Sequence, residues 1–238
     1  MYNAQKQVWF NPNIEYIFDT DIIEYDMKDA GFNLIKTYKL LPQRKIQELE
    51  LLGKGIDRHI TIGKLQRGDK EFSDRLTNAF IEMRTIFVNT NKLDDTNIIS
   101  VKKDAVFTTK LCDQLEFGHI SFANKNRYSS YIRFSKIGDI EIYYSNDAID
   151  IKNLGEHAEN CHRLYLLEFI REAIQMIEEK NPRTKRWIMD FVSKYKARLL
   201  DEEYYLKFDR KSREFDPFFN YSNVIVPMVL MICKEIPI

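Results

Sequence analysis

The sequence predicts an α+β fold: a mainly antiparallel sheet with helices packed on it over residues 1–155, then a helical portion over 156–238. Three observations predict it. Two apolar, β-branched-rich runs, 98–101 and 105–108, stand on either side of the polar Lys102-Lys103-Asp104, which is a hairpin signal. Just after Asp26 the hydrophobic period changes from that of a strand to that of a helix. Between 72 and 87, Phe72, Leu76, Ala79, Phe80, Met83 and Phe87 recur at spacings of three and four, one apolar stripe that buries a helix against a core.

Taken in order, residues 14–27 read as extended chain, with apolar Ile14, Tyr16 and Phe18 alternating with polar Glu15 and Asp19. From Lys28 onward Ala30, Leu34, Ile35, Tyr38 and Leu41 fall at helical spacing. Asp26 therefore sits where a strand gives way to a helix, a common place to hold a ligand above the end of a sheet. Pro42 suits the first turn of a helix over 43–52, which Gly53 and Gly55 end. Arg58, Lys64, Arg67 and Lys70 follow as the densest early run of cations, either a solvated basic face or a phosphate-binding one. After the 72–87 helix comes the hairpin, whose tip lacks the Asn-Gly or Asp-Gly that favours a tight turn. Its acid is either an ordinary surface charge or a ligand on a rigid mount.

Beyond the hairpin, 116–120, 128–134 and 140–144 read as further strands. From Glu156 the period is helical, with Leu164, Leu167, Ile170, Ile174 and Ile177 on one stripe. After Asn181-Pro182 a second helix uses Trp187, Ile188, Phe191, Val192 and Tyr195, and carries Arg183, Lys185, Arg186, Lys194, Lys196 and Arg198. The apolar stretch 224–233 contains Pro227 and is about ten residues long, against the ~20 that a spanning helix needs. It reads as a core strand or a hydrophobic docking segment, and no membrane partner is expected.

Composition narrows the classes. With 44% hydrophobic and 30% charged residues among 238, the chain has the make-up of an ordinary globular protein. Three widely spaced cysteines, Cys112, Cys161 and Cys233, give neither a disulfide framework nor a paired-cysteine metal site, which fits a reducing cytoplasm. The four histidines show no zinc spacing, and neither a glycine-rich phosphate loop nor a nucleophile elbow occurs. Thirty-six basic and 36 acidic residues cancel, which argues against a generic nucleic-acid coat, since such binding rests on a basic surplus. An acidic site and a basic binding face within one chain would cancel in the same way. The two carboxylates that strand ends would bring together, Asp26 and Asp104, make the hard oxygen site that Mg²⁺ prefers, with Glu24 and Asp29 as helpers.

Strand, Asp and helix, then a long helix, then a hairpin with an acid at its tip resembles the palm of template-dependent polymerases, most of all family-B DNA polymerases. The run Asp26-Met27-Lys28-Asp29-Ala30-Gly31-Phe32-Asn33-Leu34 corresponds to that family's first motif. Lys102-Lys103-Asp104-Ala105 corresponds to its last, with Asp104 matching the second, metal-binding acid. The chain departs from the pattern at Lys102 for the first acid, at Ala105 for a serine, and at Gly31 for the tyrosine that screens the sugar 2′ position. Ile151-Lys152-Asn153-Leu154 resembles the step into the thumb, and Lys125, Arg127, Tyr128 and Tyr131 the basic and aromatic element on the primer strand.

The resemblance implies a palm-like domain over 1–155 and a thumb-like portion over 156–238. It implies DNA polymerase-like nucleotidyl transfer by two Mg²⁺ ions, or Mn²⁺ in their place, ~3.5–4 Å apart on Asp26 and Asp104. Lys64 or Arg58 would neutralise the triphosphate; the partners would be a primer–template and a nucleoside triphosphate. A phage or mobile-element origin suits so reduced a form. The rival reading is a catalytically inactive palm-like module that binds nucleic acid or a partner protein, favoured by Lys102 and Lys103 beside the supposed ligand. A structural or assembly role without nucleic acid is the third. The distance between the Asp26 and Asp104 carboxylates discriminates best.

Overall fold

A computed structural model describes residues 3, 6–136, 138–153, 162–201, 206–209, 214–220 and 233–234. The chain begins β1 (Trp9–Phe10), β2 (Tyr16–Ile17), β3 (Ile22–Met27), α1 (Ala30–Thr37), α2 (Gln43–Leu51), α3 (Ile56–Gly68) and α4 (Lys70–Thr90). There follow β4 (Ile98–Val101), β5 (Ala105–Thr108), β6 (Glu116–Phe117), β7 (Ile120–Tyr128), β8 (Ser130–Phe134), β9 (Ile140–Tyr144) and β10 (Ile149–Lys152). Last are α5 (His162–Glu178), α6 (Thr184–Lys196), β11 (Leu206–Asp209) and β12 (Glu214–Asn220). Helices and antiparallel strands are mixed along the chain: the fold is α+β.

The chain divides into two compact units, one of residues 1–14 and 21–127, the other of 15–20 and 128–238. In the first, six strands lie in the order β1-β4-β5-β3-β7-β6. The pleat sends alternate residues of β3 to opposite faces. Ile23, Tyr25 and Met27 join one core with Leu34 and Ile35 of α1 and with Phe72, Leu76, Phe80, Met83 and Phe87 of α4. The rings of Tyr25 and Phe87 lie 5.5 Å apart, and Phe87 stacks on Phe122 at 4.2 Å. Glu24 and Asp26 take the opposite face.

The second unit holds a four-stranded sheet in the order β10-β9-β8-β2 and the pair β11–β12. Ile132, Phe134, Ile140 and Ile142 share a core with Phe169, Ile170, Ile174, Ile188 and Phe191 of α5 and α6. Strands β8–β10, which the sequence reading groups with residues 1–155, thus belong with the helices, because their apolar face is the one those helices cover. A second difference lies in the portion expected to be helical, where β11 and β12 pair antiparallel. Leu206-Lys207-Phe208-Asp209 alternates with the period of a strand, a signal the helical stripes upstream obscure. The extended stretch expected over 14–27 is also broken in two, at Asp19 with φ 51°. Leu154 and residues 224–232 of the apolar stretch lie outside the described residues.

Candidate functional site

The first unit brings Asp26 and Asp104 to the same end of neighbouring strands. β3 and β5 are antiparallel with Asp26 opposite Ala105, and the Met27 N–H donates to the Asp104 carbonyl at 2.9 Å. The Lys102 N–H closes the tip on the Ala105 carbonyl at 2.8 Å. Burial holds the Asp104 carboxyl above its ordinary range, and the negative charge of Asp26 pushes it further in the same direction. The two carboxylates are therefore within electrostatic reach of one another.

A buried cation fixes this tip from beneath. Arg84 of α4 is fully buried, and its guanidinium donates to the carbonyls of Lys102 at 2.6 Å and Gln7 at 2.8 Å, and to that of Lys6. The two tip lysines have their heads over rings: Lys102 Nζ 4.2 Å from the centre of Phe10, Lys103 Nζ 4.8 Å from that of Phe80. Such contacts draw an ammonium onto an aromatic face.

On the other flank of β3 runs β7. Lys125 Nζ lies 2.8 Å from Asp26 Oδ2 and 3.7 Å from Glu24 Oε1. Asn126 donates to the second oxygen of Glu24 at 2.6 Å. The hydrogen bond to Asp26 raises the Lys125 ammonium above the ordinary lysine range, with Glu24 and Asp104 acting in the same sense. Sequence reasoning assigns Lys125 to a primer strand; only the adjacency of β3 and β7 shows it against a carboxylate 99 positions away.

Beside Asp104 opens a pocket of about 180 Å³. Asp104 and Lys103 line it from the tip, Gly31 from α1, and His59, Gly63 and Gln66 from α3. Spacings of three and four put those α3 residues on one helical face. Lys64 is exposed and is not among the lining residues. Arg58 is buried in an ion pair with Asp29, and its guanidinium lies 4.2 Å over the ring of Phe32. Asp29 itself adopts the left-handed conformation, φ 46°, at the start of α1. In sequence this stretch reads as a run of cations, and nothing local tells which face of α3 meets the hairpin. A Cβ on Gly31 would meet Ile62 at 3.7 and 3.8 Å, ordinary contact distances.

Among the described residues, no three His, Cys, Asp or Glu side chains are grouped to hold a metal by themselves. The Asp26–Asp104 pair nevertheless has the chemistry of a hard-ion site. Its donors are carboxylate oxygens, although an ammonium already sits on that of Asp26. The pair fits a divalent ion that takes its remaining oxygens from a bound phosphate and water, as Mg²⁺ commonly does.

The model of the bacteriophage PBS1 gene 130 protein family matches residues 1–214. The chain belongs to that family. No curated protein matches. Among solved structures, this member of the family is similar to the family B DNA polymerase of the hyperthermophilic archaeon Pyrobaculum calidifontis, at 13% identity and a TM-score of 0.49. The match covers 82% of this chain and 35% of that one. Among the described residues of this family member, no helix is long and apolar enough to cross a membrane.

Proposed function

We propose that the chain catalyses template-dependent nucleotidyl transfer, with the first unit as a reduced polymerase palm. The observation that carries the reading is the placement of Asp26 and Asp104 at the same end of neighbouring strands, with Asp104 lining a pocket walled by a helix. Bound Mg²⁺ or Mn²⁺ would supply activation of a primer 3′-hydroxyl and neutralisation of the leaving pyrophosphate. Asp26 and Asp104 would hold the ion, and Arg84 keeps the second of these in place through the tip carbonyls. The pocket takes the incoming nucleotide, with His59 and Gln66 presented to it and Gly31 beneath the sugar. Lys64, exposed on the same helix, serves as an outer phosphate contact. Arg58 contributes indirectly, by tying α3 to Asp29 at the start of α1. The exposed cations of α6 suit the phosphates of a primer–template duplex.

Primer extension on primed single-stranded DNA, with Mg²⁺ and with Mn²⁺, tests this. The native chain extends the primer, and Asp26→Ala and Asp104→Ala each lower the rate on the order of 10³-fold. A second reading, an inactive palm-like module that binds nucleic acid or a partner protein, is favoured by the ammonium of Lys125 already seated on Asp26. Duplex binding without extension under either ion would establish that module instead.

A further inference from the structure

We propose that Lys125 is a tethered counter-cation that competes for the divalent-ion position at Asp26 and is expelled when the ion binds. The inference rests on the reading of Asp26 and Asp104 as ion ligands. Three observations carry it. The Lys125 ammonium lies 2.8 Å from Asp26 Oδ2, in the space that an ion bound at ~2.1 Å to that oxygen would need. Its second neighbour, Glu24, has a 3% exposed side chain and is held by Asn126, so that carboxylate stays put while the ammonium moves. The Lys125 side chain is 53% exposed, and a four-carbon stem rooted on β7 lets its head swing into water without disturbing the strand.

Ion and ammonium then compete for one oxygen. The competition makes the site selective for an ion delivered with phosphate oxygens. Lys125 is a positioning residue here: it acts on the ion through Asp26.

The probe is Mn²⁺ alone, with the loss of its free-ion magnetic resonance signal as readout on the full chain. Lys125→Gln, which keeps the stem and removes the charge, binds Mn²⁺ about tenfold or more tightly than the native chain. Asp26→Asn added to Lys125→Gln abolishes the gain. Unchanged or weaker Mn²⁺ binding by folded Lys125→Gln overturns the proposal. A measurement on the native chain guards against a variant that fails to fold. Acetylation of Lys125, followed by peptide mass, is slow without ion and speeds up severalfold at saturating Mn²⁺; a rate indifferent to Mn²⁺ overturns the proposal as well. Tight Mn²⁺ binding by Lys125→Gln with no primer extension by any chain would leave the counter-cation standing and remove nucleotidyl transfer. Extension by the native chain with an unaltered Lys125→Gln affinity would do the reverse.

Discussion

At the scale of single residues, the electrostatics of Asp104 set a conflict between stability and chemistry. Its native carboxyl titrates above the ordinary 3.8, first because it is buried and then because Asp26 is near. The native state therefore keeps a proton over a pH window in which the unfolded chain has lost it. Stability falls as pH rises through that window and is flat above it. Asp104→Asn removes the penalty, so this variant should be more stable than the native chain at pH 7, with the difference vanishing below the ordinary carboxyl value. Urea denaturation across pH 3 to 8 measures it; a variant less stable at pH 7 would mean that Asp104 is held by a partner, not strained by one. Gly31 makes the complementary point for specificity. Glycine carries no side chain, so nothing at this position screens a 2′-hydroxyl. Extension with ribonucleotides should fall less than about 10²-fold below extension with deoxynucleotides. A stronger preference would assign the screening to another side chain.

At the scale of elements, the hairpin depends on the helix behind it. Three-residue tips without an Asn-Gly or Asp-Gly have weak intrinsic turn preference, and here the carbonyls of Lys102 and Lys103 at the tip are taken up by Arg84 of α4. Arg84→Met would strip those carbonyls of a charged donor within a buried volume. It should cost about 2–4 kcal/mol, read from the urea midpoint, and should weaken Mn²⁺ binding through the displaced Asp104. A near-neutral result would show that the turn holds its own shape. α3 illustrates a different dependence. Its residues are mixed in polarity, and only its packing against α4 and the start of α1 decides that His59, Gly63 and Gln66 line the pocket while Lys64 stands in solvent.

For the molecule as a whole, a net charge of zero conceals an uneven distribution of charge along the chain. The first unit concentrates carboxylates at Glu24, Asp26 and Asp104, whereas α6 in the second exposes Lys185, Arg186, Lys194 and Lys196, with Arg183 exposed just before it. Neutralising phosphates with those cations releases counterions, so duplex affinity should fall steeply with salt. Lys185→Gln with Arg186→Gln should weaken binding at low salt and lower the slope of log affinity against log salt by about 2. Fluorescence anisotropy on a labelled duplex measures both. An unchanged slope would place the nucleic-acid surface elsewhere.

By itself the sequence determined the elements whose signal is local. The hairpin at Lys102-Lys103-Asp104 was legible because two apolar runs flank one polar break, and α4 because a single stripe of Phe72, Leu76, Phe80, Met83 and Phe87 repeats at the helical period. The strand-to-helix change after Asp26 was legible for the same reason. Tertiary structure alone decided which strands adjoin, and with that the site. Placing β3 between β5 and β7 sets Asp104 on one side of Asp26 and Lys125 on the other. It likewise paired Arg58 with Asp29 and buried Arg84 under the tip. Such pairings join residues far apart in the chain, and a charged side chain carries the same letter whether water, a ring or a carboxylate surrounds it. Periodicity reports only which face of an element is buried. What lies against that face depends on how the whole chain closes.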